Sequence, residues 1–75
     1  MDHDALCESA RIARLVGNVE HEADHMKKLA VALALGRIEW IQAQGLSMKQ
    51  AMVALGENNV RIVAAAKRTL LGELN

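Results

Sequence analysis

The run Leu29-Ala-Val-Ala-Leu-Ala-Leu35 sets the strongest condition on how this chain folds. At about 100° per residue, consecutive apolar side chains point in every direction around a helix. A helix that is apolar all round must be covered all round, either by the rest of the chain or by a second copy. The run sits inside a longer segment, VEHEADHMKKLAVALALGRIEWIQAQ, that reads as one central helix over residues 19–44.

Little else in the chain competes with a helical reading. Hydrophobic residues make up 52% of the 75 residues, yet there is one Trp and no Phe or Tyr, so the apolar content is aliphatic and rich in alanine. Val and Ile are scattered rather than alternating, so no segment reads as a strand. The length allows a single helical domain over residues 1–75. A chain this short buries only roughly 60% of its unfolded surface and usually needs a disulfide, a metal or a partner subunit. Cys7 is the only cysteine, which excludes an internal disulfide and suits a reducing, intracellular setting. Arg37 and Glu39 follow the apolar run too soon for a membrane span of about 20 residues, and the N-terminus does not resemble a signal peptide. These features point to a cytoplasmic protein with no membrane role.

The expected architecture is an all-α bundle of four helices, at about 4–16, 19–44, 48–55 and 58–71, with a C-terminal helical hairpin. Asp2 or Asp4 caps the first helix, and Arg11 and Arg14 near its end suit the helix dipole. Gly17-Asn18 reads as a break, with Asn18 capping the central helix. The alternative is a continuous rod, because Ile12, Val16, Val19, Ala23, Met26, Ala30 and Leu33 recur at coiled-coil spacings across that break. Gly45 followed by Ser47 and Gln50 marks the clearest boundary, a helix stop and then a capping box. Gly56 ends the third helix and Asn58 caps the fourth.

Three constellations bear on chemistry. His21-Glu22-Ala23-Asp24-His25 is similar to the H-E-x-x-H string of zinc metalloproteases, in which two imidazoles one turn apart share a zinc. Asp24 puts a charge where that pattern is usually uncharged, and no strand is available to line a cleft, so the string reads as a solvated helix start. His3 and Cys7, with His21 and His25, form two pairs of ligand type. In a hairpin turning at Gly17 the pairs lie on the order of 15 Å apart, so only a site shared between subunits could join them. Cys7 itself reads as a small buried hydrophobe.

The third constellation is Ser47 to Leu70, which resembles the bihelical DNA-binding unit of Fis-type proteins. Ala51, Leu55, Gly56, Asn58, Ile62 and Lys67-Arg68 occupy its small, Leu, Gly, cap, apolar and basic positions. Met52, Glu57 and Ala64 to Ala66 depart from the pattern. The resemblance implies base contacts from Asn58, Asn59 and Arg61 and phosphate contacts from Lys49, Lys67 and Arg68. The net charge of zero, with acids early and cations late, falls short of the concentrated positive charge of an unaided nucleic-acid binder.

No catalytic set has a supporting context. The sequence therefore leads to a non-enzymatic regulatory or adaptor module, without cofactor, metal or small-molecule substrate. It would act through protein–protein contact and homodimerisation, with Met26, Leu29, Leu33 and Trp40 as its interface. The alternative is a dimeric helix-turn-helix transcriptional regulator that uses residues 47–70.

Overall fold

The computed structural model describes residues 1–74, and among them five helices and no strand are found. They are α1 (His3–Val16), α2 (His25–Leu35), α3 (Ile38–Gln42), α4 (Met48–Leu55) and α5 (Glu57–Glu73). The all-helical class agrees with the sequence reading, but the helix expected over residues 19–44 is absent as a unit. A loop occupies residues 17–24, and a second interruption at Gly36 separates α2 from α3. At 1.5 Å per residue a helix of that length would run about 39 Å, whereas the longest extent of the whole fold is 31 Å. A chain of this size cannot cover such a rod.

Both interruptions have local causes. Asp24, not Asn18, caps α2, its carboxylate accepting from the Met26 N–H at 2.8 Å. Asn18 instead closes a small turn by accepting from the Glu20 N–H. At the other end Gly36 takes the left-handed conformation, φ 69° and ψ 26°. The Arg37 N–H then reaches back to the Ala32 carbonyl at 2.9 Å and the Gly36 N–H to Leu33 at 3.1 Å. This is a Schellman termination, which satisfies carbonyls that the ended helix would leave orphaned.

Shortened to 11 residues, α2 has its apolar run covered on every side while its first turn stays partly exposed. It packs on α1, α3, α4 and α5, and residues 29–34 are all buried. Leu29, Val31 and Ile41 are fully enclosed, and Leu6, Ala10 and Ala13 from α1 with Val63, Ala66 and Leu70 from α5 complete the core. The condition set by the apolar run is thus met within one chain. The inference from that run to a partner subunit falls with it, because Leu29 and Leu33 serve the protomer's own interior.

α1 lies beside α5 and is tied to its end. The Glu73 carboxylate accepts from Arg11 Nε at 2.9 Å and from Arg14 Nη2 at 3.2 Å. These bonds hold the Glu73 carboxyl below the ordinary glutamate range, the Arg11 hydrogen bond contributing most.

The capping box before α4 forms as expected: Ser47 accepts from the Gln50 N–H and the Gln50 side chain accepts from the Ser47 N–H. The link from α4 to α5 is tighter than expected. Gly56 alone joins them, α5 begins at Glu57, and Asn58 lies within its first turn instead of capping it. Gly56 sits at φ 86° and ψ 162°, a region that essentially only glycine occupies.

Two outcomes follow. Gly56→Ala meets no neighbouring atom, since nothing lies within 4 Å of the added Cβ, so its cost is backbone strain of about 1–3 kcal/mol, measurable by urea denaturation. For Glu73, a lowered folded pKa means that its stabilisation is present above the ordinary carboxylate pKa and is lost as pH falls through the folded value. Glu73→Gln therefore lowers Tm at neutral pH, and the gap from the parent protein closes in acid.

Candidate functional site

The string from His21 to His25 does not form a helical turn. Its first four residues lie in the loop and His25 opens α2, so the two imidazoles are not stacked one turn apart. Instead the loop is pinned to α1 through Ser9. Ser9 Oγ lies 2.7 Å from Glu22 Oε2 and 2.8 Å from His21 Nε2. A hydroxyl has one proton and a carboxylate only accepts, so Ser9 donates to Glu22 and accepts from the His21 Nε2–H. With that nitrogen protonated, the imidazole cannot take the serine proton. The three residues, with buried Val19, anchor the loop that leads into α2.

His3 and Cys7 do approach each other, with Sγ 3.7 Å from His3 Nε2, which also meets Thr69 Oγ1 at 3.2 Å. The thiol is 2% exposed, and burial pushes its pKa up, which disfavours the thiolate. Among the described residues no group of three or more His, Cys, Asp or Glu side chains is placed to hold a metal.

The residues expected to form an interface are divided by the fold. Leu29 and Leu33 are buried, while Met26 and Trp40 are half-buried at the edge of the core. Trp40 carries the Arg37 guanidinium 4.7 Å above its ring. Exposed apolar residues lie elsewhere, at Ile38, Leu71 and Leu74 and in clusters on two helix faces. On α1, Ile12, Leu15 and Val16 point away from the core, Leu15 being 88% exposed. Sequence periodicity placed Ile12 and Val16 in a seam shared with the next helix, which the break at Gly17 abolishes.

The second face lies at the α4–α5 corner. Met48, Met52 and Val53 are exposed, Val53 at 75%, and with Val60 they line a shallow, almost entirely apolar depression bordered by Lys49 and Glu57. The face arises because α4 buries only Ala51 and Leu55. Met48 and Met52 stand at i and i+4 on one helix side and Val53 lies about 100° further round, so the sequence held part of the signal. It did not say which side would face outward.

The residues implied as DNA contacts are spread over different surroundings. Asn59 is engaged internally, its Nδ2 donating to the Leu55 carbonyl at 2.9 Å across the corner. Arg61 pairs with Glu57 at 2.8 Å on an exposed surface. Lys49, Asn58, Lys67 and Arg68 are exposed. Arg61 and Arg68 share one face of α5, but Lys67 lies about 120° around the helix from Arg61. The connection of one residue is also shorter than the 3–4-residue turn usual in a helix-turn-helix.

No protein-family profile matches the chain, and comparisons with characterised proteins and with solved structures give no significant match. Among the described residues no helix is long and apolar enough to cross a membrane.

The Ser9 contacts have a measurable consequence. Ser9→Ala removes the group that satisfies both His21 and Glu22 and is expected to lower stability on the order of 1 kcal/mol. Amide exchange should rise most in residues 17–24, with α5 little affected.

Proposed function

We propose that this chain is a small non-enzymatic regulatory or adaptor module that packs helical surfaces against a partner protein and against a second copy of itself. The observation that carries the reading is the face at the α4–α5 corner. Met48, Met52 and Val53 stay exposed beside the half-buried Val60, together lining one apolar depression. Apolar groups clustered on one surface add nothing to the chain's own core and suit an interaction site. Methionine supports a partner role in particular, since its unbranched, polarizable side chain adapts to the shape placed against it. The partner chemistry that fits is the apolar stripe of an amphipathic helix, with charges of either sign available at Lys49 and Glu57.

The homodimer rests on the α1 face. Ile12, Leu15 and Val16 stand at i, i+3 and i+4 and are stiffer than methionine, which suits a fixed, self-complementary pairing of α1 with its symmetry mate. The second reading, a dimeric helix-turn-helix regulator, is favoured by one feature: Arg61 and Arg68 stack on one outward face of α5 with Asn58 in its first turn. Glu57 weighs against it, because its carboxylate pairs with Arg61 and would repel phosphate.

Sedimentation and site-specific photo-crosslinking test these readings together. Leu15→Glu is expected to convert a dimer to a monomer while far-UV circular dichroism is unchanged. A photo-crosslinker at position 53 is expected to label one protein partner, and Met52→Lys should abolish the product. A monomer at every concentration, with no protein adduct at position 53, would sink the proposal. Salt-sensitive binding to duplex DNA, lost in Arg61→Ala and Arg68→Ala, would replace it with the helix-turn-helix reading.

A further inference from the structure

Independently of the methionine face, a cleft of about 220 Å³ opens between the last turns of α5 and the corner where α2 meets α3. Its floor is Ala34 and Leu70, both buried, and its walls include Leu35, Trp40 and Leu71. Arg14, Arg37 and Lys67 also line it, and among the described residues no acidic side chain does. In a chain with a net charge of zero, that is a local excess of one sign over an apolar cavity.

The three cations are not equivalent. Arg14 is held by Glu73 at 3.2 Å and Arg37 by Glu39 at 3.1 Å. Lys67 has no ion-pair or hydrogen-bond partner among the described residues. The two guanidinium groups are positioned by their carboxylates and, for Arg37, by the Trp40 ring beneath it. Each keeps N–H donors beyond the ones in use. One unpaired ammonium supported by oriented donors matches one negative charge. The cavity is smaller than the roughly 300–1,000 Å³ of drug-sized sites, which calls for a small tail.

We propose that this cleft binds a small amphipathic monocarboxylate, its alkyl or aryl tail against Leu35, Trp40 and Leu71 and its carboxylate at the Lys67 ammonium. Arg14 and Arg37 supply further donors to the same head group. Binding here involves no chemical step. It places a ligand against α2, α3 and α5 at once, about 16 Å along α5 from Val60.

Trp40 is the only tryptophan, and the chain has no Tyr or Phe, so intrinsic fluorescence reports on this cleft alone. The full chain would be titrated with octanoate, octanol and octylammonium at constant ionic strength. Saturable change of Trp40 emission is expected with octanoate, with affinity at least tenfold above octanol, and none with octylammonium. Lys67→Gln, at an exposed position, should reduce octanoate affinity several-fold toward that of octanol and leave octanol binding unchanged. No saturable response to octanoate, equal affinity for octanoate and octanol, or an unaltered preference in Lys67→Gln would each overturn the proposal. None of these readouts depends on a protein partner or on dimerisation.

Discussion

Everything in this structure depends on covering α2. Leu29, Val31 and Leu33 alternate with Ala30, Ala32 and Ala34, and all six are buried. The large residues supply apolar area, while the alanines let neighbouring backbones come close, so four helices fit around 11 residues. Coverage on every side is feasible only because the segment is short. Asp24 at one end and Gly36 at the other are therefore as necessary to the core as the leucines between them.

The closure of the outer layer is electrostatic as well as apolar. α1 and α5 flank α2, and their contact is secured where Arg11 and Arg14 converge on Glu73. Exposed ion pairs contribute little individually, but here two guanidinium groups share one carboxylate across 59 and 62 residues of chain separation. The same pairing recurs at Arg37 with Glu39 and Arg61 with Glu57. Four of the five arginines are thus matched by nearby carboxylates, whereas among the described residues the lysines, Lys67 included, have no ion-pair partner.

The apolar residues that the core does not use have a common origin. α1 and α4 each bury one side and carry additional aliphatic residues on another. Ile12, Leu15 and Val16 on α1, and Met48, Met52 and Val53 on α4, give the protein two separate outward faces. Their difference in stiffness underlies the proposed division between self-association and a protein partner. The DNA-binding alternative uses the opposite resource, the cations of α5, of which Arg61 and Arg68 share a face while Lys67 lies apart from them.

The sequence by itself determined the helical class, the capping box at Ser47 and Gln50, the stops at Gly17, Gly45 and Gly56, and the position of the segment that must be central. These are local matters: a cap or a left-handed glycine is decided by a few adjacent residues. Gly36 carried the same local signal, but Ile38, Trp40 and Ile41 continued the apolar periodicity beyond it and hid the break. Of the expected interface, Met26 and Trp40 remained at the edge of the core while Leu29 and Leu33 went inside, and the exposed α1 face was not anticipated. Those outcomes were decided only by the tertiary structure. An apolar stripe shows that a side chain needs cover, but which stripe receives it depends on how many helices reach it, and that is fixed by chain breaks far from the stripe itself.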